Sequence, residues 1–386
     1  MARPLRLAVV AGEASGDALA AAVMDALARR WPGLQAEGIG GAQMQARGLR
    51  SLYPMERLSV MGVTEPLARL PELLRIRRRL RRHFLASPPD LFLGVDSPDF
   101  NLPLARRLRL HGVPTAQLVS PSIWAWRARR VHGIGRAVDR VLCLFPFEPA
   151  LYDAHGITAR FVGHPLAREL PQDPDRLAAR RALGLPPQGT HLALLPGSRP
   201  GEVRALAPRM LAAARRVAAE VPGLHCTLPL AGEDCRAALQ PSLAAAAGLP
   251  LTVLPGRSRE VMAAADAVLT ASGTATLEAA LLRRPQVVTY RMGALSWFVL
   301  SRLVRTRHVA LPNILAGRGL VPELLQDDAS VDALAAAVRQ VLKHDNAAML
   351  AGYTQLRDAL ETDFAARCAH ELLQLVAMED VGAGPV

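Results

Sequence analysis

The chain has 386 residues, 51% of them hydrophobic, and 46 Lys and Arg against 34 Asp and Glu give a formal net charge of +12. At roughly 150 residues per domain that length suits two domains with large cores, and the composition excludes intrinsic disorder. No stretch approaches the ~18 charge-free apolar residues of a membrane-spanning helix; the best run, Leu295 to Val304, is interrupted by Arg302.

The N-terminus briefly imitates a signal peptide, with Arg3 and Arg6 ahead of Leu7–Gly12. Glu13 and Asp17 follow at once, and no cleavage-type end closes the apolar region. Arg6–Ala11 reads as a strand and Ser15–Arg30 as a helix. The turn between them is Ala11-Gly12-Glu13-Ala14-Ser15-Gly16-Asp17. Glycines at a strand-to-helix turn let backbone approach a ligand, and a helix N-terminus favours anions. The spacing is not GxGxxG, so the turn equally suits Ser15 or Asp17 capping the helix.

Pro66 to Leu85 predicts a helix beginning near Pro71. Leu73, Ile76, Leu80 and Phe84 recur at spacings of three or four and form one apolar face. Seven arginines at 69, 75, 77, 78, 79, 81 and 82 meet only Glu72, and Val60, Met61, Leu67 and Leu70 form an apolar patch just upstream. A solvated charged face, a basic amphipathic element on an anionic membrane, and a nucleic-acid surface are three open readings. The last has least support, since no aromatic residues interleave. Residues 1–170 hold 24 basic and 14 acidic residues, a net of +10, whereas residues 171–386 hold 22 and 20, a net of +2.

Leu91–Val95 is the next strand, running into Gly94-Val95-Asp96-Ser97-Pro98-Asp99-Phe100-Asn101 and a helix from about Asn101. Ligands bind at the carboxyl ends of parallel strands, so Asp96 or Asp99 can serve as a base toward a hydroxyl. Equally, Asp99 can cap the helix while Asp96 bonds backbone in the turn. Strands follow at Thr115–Val119 and Arg140–Leu144. Short unalternating apolar runs between helical patterns indicate a parallel sheet covered on both faces. Pro165, Pro171 and Pro174 then break the periodicity and mark a linker.

The pattern restarts with a strand at His191–Leu195, a helix at Pro200–Glu220, and strands at Leu224–Leu228, Leu251–Leu254, Ala267–Leu269 and Gln286–Tyr290. Leu195-Pro196-Gly197-Ser198-Arg199 places an arginine beside a glycine turn at a helix start, which suits a diphosphate. Ala271-Ser272-Gly273-Thr274-Ala275-Thr276-Leu277-Glu278 is a second such turn. There the strand runs into a small-residue turn and then a helix whose first N–H groups are unpaired and expected to point at a cleft, and Glu278 either accepts from ribose hydroxyls or is a first-turn glutamate favoured by the dipole. The segment from Val331 to Met378 is helical with few breakers.

Other features lead nowhere. Asp173-Pro174-Asp175 has DxD spacing but sits in the linker before a helix, where capping is expected. Cys143, Cys226, Cys235 and Cys368 show no CxxC spacing, so neither a disulfide framework nor a zinc site is signalled, and the chain reads as cytosolic. No HExxH, GxSxG or GxxxxGK[ST] is present.

Taken together, AGEASGD (11–17), GVDSPDFN (94–101), SPSIWAWR (120–127), FPFE (145–148), FVGHPL (161–166), LPGSR (195–199), SGTATLE (272–278) and LPNILAGR (311–318) closely resemble the lipid-A-disaccharide synthases, bacterial glycosyltransferases. The resemblance implies an α/β fold of GT-B type, with two Rossmann-like doubly wound domains facing a central cleft and a helical C-terminal tail. The expected division is 1–168 for the acceptor-side, membrane-associating domain, 169–345 for the UDP-sugar domain and 346–386 for the tail.

The implied reaction is inverting transfer from UDP-diacylglucosamine to the 6-hydroxyl of diacylglucosamine 1-phosphate, with no cofactor or metal. Asp99 is then the expected base and Asp96 its rival. Ser198, Arg199, Ser272, Gly273, Thr274 and Glu278 are expected on UDP, with Gly12, Glu13, Arg291 and Asn313 as candidate sugar or phosphate contacts. Acylated substrates favour the membrane reading of the basic helix, at the cytoplasmic face of the inner membrane. Val60, Met61, Leu67, Leu70, Leu73 and Leu74 would dip in while Arg75, Arg77 and Arg78 meet lipid phosphates. Nucleic acid is not an expected partner; a second copy is, should the tail cross to a neighbour. Rival expectations are another GT-B sugar transferase, a UDP-sugar epimerase, or a non-catalytic basic membrane-surface protein.

Overall fold

The computed structural model describes residues 3–58, 65–121, 123, 130–293, 307–343 and 345–382, with backbone alone at 65–69, 245 and 378–382. Val60, Met61, the apolar run at 295–304 and most of the 122–129 motif lie outside the described residues, as does the Leu67 side chain. The chain forms two compact units, Met1–Pro165 with Leu360–Val386, and Leu166–Ala359.

The first unit is built on seven strands: β1 (Arg6–Ala11), β2 (Gln35–Ile39), β3 (Arg50–Ser51), β4 (Leu91–Val95), β5 (Thr115–Leu118), β6 (Arg140–Cys143) and β7 (Ala159–Phe161). They lie in the order β3-β2-β1-β4-β5-β6-β7, and every pairing is parallel. Alternate side chains of the apolar runs enter opposite layers. Leu7, Val9, Leu91 and Leu93 join one core, while Ala8, Val10 and Phe92 join the other. Such two-sided burial is why these strands show no polar alternation in sequence.

The first core is covered by the Ala14–Arg30 helix and, from the far end of the chain, by the Phe364–Gly382 helix. Phe364, Cys368, Leu372, Leu375 and Val376 recur at helical spacing and enter this core. Arg140 on β6 fixes the helix by donating to both the carboxylate and the carbonyl of Glu371, at 2.6 and 2.7 Å. The helical tail therefore divides: Ala347–Leu360 runs to the edge of the second unit, and Phe364–Gly382 belongs to the first.

The second core is covered by Glu65–Ala86 and Pro98–Arg109. The long basic helix starts at Glu65 rather than near Pro71, so Pro66 occupies the first turn, where a missing N–H costs nothing, and Pro71 lies inside. Ile76, Leu80 and Phe84 are buried as their spacing requires, each worth roughly 1.5–3 kcal/mol of apolar burial. Leu73 packs partly against the same cluster, on the apolar face its spacing predicts rather than with the outward Leu70 and Leu74 of the expected membrane contact.

The second unit holds β8 (His191–Leu195), β9 (His225–Leu230), β10 (Leu251–Pro255), β11 (Ala267–Ala271), β12 (Gln286–Tyr290) and β13 (Glu323–Leu325) in the order β10-β9-β8-β11-β12-β13. All pairings are again parallel. Asp175 caps the Arg176–Ala182 helix, accepting from Leu177 and Ala178 N–H at 2.9 and 3.1 Å, which is the role expected of the DxD pair. In each sheet the strand order reverses direction at one place, between β1 and β4 and between β8 and β11. Crevices at such reversals are where open α/β sheets bind ligands.

Candidate active site

Both reversals carry the clusters picked out in sequence. In the first unit β1 and β4 run side by side with Ala11 opposite Val95, so the turns that follow them meet. Asp96 accepts from the N–H of Gly12 at 2.9 Å and of Glu13 at 3.2 Å. Asp96 and Ser97 sit at φ of +52° and +35°, a conformation costing a non-glycine residue ~1–3 kcal/mol. Surrounding bonds hold it there. The amide of Asn101 donates to the carbonyls of Val10, Val95 and Asp96, and Gln117 donates to Asp96 O at 2.9 Å.

The fit leaves no room for side chains on the facing glycines. A Cβ on Gly16 would overlap Asp96 Oδ2, and one on Gly12 would overlap Ser97 Oγ. Burial pushes the Asp96 carboxyl up to about 6, against the pull of the Gly12 hydrogen bond, with Glu13 nearby raising it further. Asp17 does not cap its own helix. It is buried and accepts from Gly41, Gln43 and Met44, bracing the start of the Ala42–Gln45 helix across the turn.

Asp99 stands differently. It lies in the first turn of Pro98–Arg109, whose N-cap is Ser97, and its side chain is 75% exposed. Its carboxylate is paired with Arg130, and its carbonyl accepts from Arg77 Nη1 at 3.1 Å. Arg130 lies 31 residues further on, and no spacing signal marks it in the sequence. Asp96 is thus a carboxylate fastened by backbone, and Asp99 one presented to solvent.

Further along the same sheet edge, the Phe145 ring stacks on Phe147 and His164 with centroids 6.0 and 5.8 Å apart. Glu148 accepts from Phe145 N–H and holds this turn. The aromatic group accounts for FPFE and for His164, which is buried.

In the second unit, Arg199 is the N-cap of Pro200–Glu220. Glu202 Oε2 accepts from the N–H of Ser198 and Arg199 at 3.1 and 3.3 Å, and its other oxygen lies 3.6 Å from the Arg199 guanidinium. Gly197 has φ +115° at this bend, a value suited to glycine. The companion turn after β11 is tied by Ser272 Oγ donating to Val309 O at 2.9 Å, while Gly273 and Thr274 at the helix N-terminus are exposed. Glu278, one turn into Thr274–Leu281, is only 12% exposed and pairs with Arg259 Nε at 2.8 Å. Spacing in the sequence does not mark Arg259 as this partner, since it comes from a separate helix, Ser258–Ala264.

Arg291, just past β12, donates to Gln326 O at 2.9 Å and lies 3.6 Å from Asp327. Asn313 is spoken for. Its amide donates to Val321 O and its Oδ1 accepts from Leu320 and Val321 N–H, so its place is to brace that loop. On the outer side of the basic helix Leu70 and Leu74, four residues apart, are 46% and 45% exposed among Arg75, Arg78 and Arg79. Among the described residues no three His, Cys, Asp or Glu side chains gather as a metal-binding group, and no helix is long and apolar enough to cross a membrane.

A family model described as lipid-A-disaccharide synthetase matches residues 7–375. A lipid-A-disaccharide synthase from Pseudomonas aeruginosa is 50% identical over 376 residues, covering 97% of this chain and 99% of the relative. One from Aeromonas hydrophila is 45% identical over 379 residues, with 97% and 100% covered. Among solved structures, UDP-GlcNAc 2-epimerase from Neisseria meningitidis bound to UDP-GlcNAc superposes with TM-score 0.64 at 12% identity, covering 97% of this chain and 100% of that one. The calicheamicin glycosyltransferase gives 0.61 at 18%, with 97% and 99% covered. These two likenesses concern the fold, which is of the GT-B class.

Proposed function

Because the chain belongs to the lipid-A-disaccharide synthase family, we propose that its two units divide a single glycosyl transfer between acceptor and donor. The enzyme joins UDP-2,3-diacylglucosamine to 2,3-diacylglucosamine 1-phosphate, giving the β-1,6-linked lipid A disaccharide 1-phosphate and UDP. The acceptor 6-hydroxyl attacks the anomeric carbon from the face opposite UDP, a C–O bond forms as the bond to the diphosphate breaks, and the hydroxyl proton passes to a base. The observation that carries the division is chemical: one strand-order reversal bears carboxylates, and the other bears glycine turns, a guanidinium and helix N-termini.

Asp99 is the base in this reading, because its carboxylate is reachable by a large acceptor once Arg130 swings aside. Asp96 shapes the floor of the site through its bonds to Gly12 and Glu13. A second reading exchanges the two, and the carboxyl of Asp96 at about 6 favours it, since a base works best near the operating pH. On the donor side Arg199 and the N–H groups of Gly273 and Thr274 take the charge that develops on the leaving UDP, the Ser272 N–H being given to Thr289 O at 3.1 Å, while Glu278 holds the ribose and Arg291 lies at the neighbouring strand end.

The decisive assay is UDP release with both diacyl sugars present, against either alone. Asp99→Ala should lose ~10²–10⁴-fold in turnover; near-normal turnover would move the role to Asp96. An epimerase would consume the donor without the acceptor.

We also propose that the enzyme works at the cytoplasmic face of the inner membrane, where both acylated substrates reside. Leu70 and Leu74 enter the acyl boundary and the surrounding arginines meet anionic headgroups. Polar residues at both leucines should weaken vesicle binding, and added salt should weaken it further.

A further inference from the structure

Many arginines lie beside carboxylates, among them Arg57 with Glu72, Arg109 with Asp139, Arg140 with Glu371 and Arg180 with Asp266. One group of five does not. Between the Glu65–Ala86 and Pro98–Arg109 helices of the first unit lies a groove of about 580 Å³ lined by Arg75, Arg77, Arg78, Arg81 and Arg107. Its apolar wall includes Leu74 and Leu104, and no Asp or Glu lines it. Among the described residues none of the five guanidiniums has an ion-pair partner, and their one hydrogen bond is from Arg77 to the Asp99 carbonyl. Burial pulls the pKa of Arg77 down from the usual arginine value, since part of its hydration is lost without a compensating anion.

Five like charges lining one partly apolar groove repel one another, and an anion that enters relieves the repulsion among those it reaches. Guanidinium forks match phosphate oxygens in pairs, and a phosphomonoester, carrying about −1.5 to −2 at neutral pH, draws on several forks where a diester headgroup carries one charge. The groove also adjoins the reaction centre. Arg77 bonds the backbone of Asp99, and Pro103, one turn along the same helix, lines the groove.

We propose that this groove holds the 1-phosphate of the acceptor and thereby delivers the 6-hydroxyl, across one hexose ring, to the Asp99 end of the helix. The inference rests on the acceptor named under Proposed function. It makes Arg81 and Arg107 specificity residues for a phosphorylated acceptor.

The test replaces Arg81 and Arg107 by Gln, singly and together, with Arg→Lys variants as charge-preserving controls and thermal melts as a check on folding. Equilibrium binding of diacylglucosamine 1-phosphate and of its dephosphorylated form is measured in neutral detergent, where no turnover is needed. Each Gln variant should bind the phosphorylated sugar about tenfold more weakly, and the double variant should lose most of the wild-type preference for it over the dephosphorylated sugar. Lys should recover part of that preference.

An equal loss on both sugars, or unchanged binding of the phosphorylated one, overturns the proposal. So does a loss that appears only as weaker sedimentation with phosphatidylglycerol vesicles, which would assign the groove to bulk headgroups. Absence of UDP release by the wild type with both substrates would instead overturn the functional reading, and the binding result would stand apart from it.

Discussion

Replacing Gly16 by Ala sets two effects of known sign against each other. Gly16 lies in the Ala14–Arg30 helix, where Ala is favoured over Gly by about 1 kcal/mol. The added methyl, however, overlaps Asp96 Oδ2 and comes within 2.8 Å of its Cγ. Asp96 is short, its backbone is held at φ +52°, and its carbonyl is fixed by Asn101 and Gln117, so the carboxylate can yield only by rotating away from Gly12 and Glu13. Hydrogen bonds to a charged group contribute ~1.5–3 kcal/mol each. At the lower figure the two bonds outweigh the helix gain by about 2 kcal/mol, a fall in melting temperature of about 4–8 °C for a unit of this size.

Thermal melts would read the stability, and UDP release with both substrates would read the site, where turnover should fall at least tenfold as the turn after β1 loosens. A variant that melts higher than wild type and turns over normally would refute the reasoning. It would mean that helix propensity prevails and that Asp96 has slack the structure does not show.

Arg140→Met should cost about 1.5–3 kcal/mol, because Glu371 loses its charge-assisted bond and keeps only Arg160 at 4.0 Å, and should make the Phe364–Gly382 helix the first site of proteolysis; an unchanged urea midpoint would refute the clamp. Glu278→Gln should weaken UDP binding about tenfold in titration calorimetry while melting is little altered, whereas a purely structural pair with Arg259 would show the reverse. The second reading, with Asp96 as the base and its carboxyl raised to about 6, predicts that kcat/KM falls as pH drops through that value and that Asp96→Asn loses most turnover; a profile with no limb near 6 and an active Asp96→Asn would leave the role with Asp99. Stability runs the opposite way. A raised carboxyl favours the protonated folded state, so its contribution is fully present below the ordinary aspartate range and is lost as pH rises through about 6. Urea midpoints from about pH 4 to about pH 6 would show whether that slope is present in wild type and absent in Asp96→Asn.

The sequence by itself determined the architecture to a large degree. Unalternating apolar runs such as Leu91–Val95 demand burial on both faces, hence parallel strands with helices on each side, and the pattern occurs twice around a proline-rich break. Glycine turns at strand ends, the inward face of the basic helix and the Asp175 cap follow from rules that act over a few residues. The strands β2, β3, β7 and β13 escaped because QAEGI, RS, ARF and ELL offer no apolar run of strand length, and the Glu65 start escaped because two prolines compete to mark it.

Partners distant in the chain are set by packing and strand order instead. The motif AGEASGD names Asp17, but it is Asp96, more than 80 residues away, that fastens its glycine turn. Asp99 and Arg130, Glu278 and Arg259, and the groove of five arginines are equally invisible to local spacing. The final helix reads in sequence simply as a helical stretch with few breakers, with nothing to say which core it covers. Periodicity reports which face of an element is apolar; strand order and packing decide what that face, and the charges beside it, will meet.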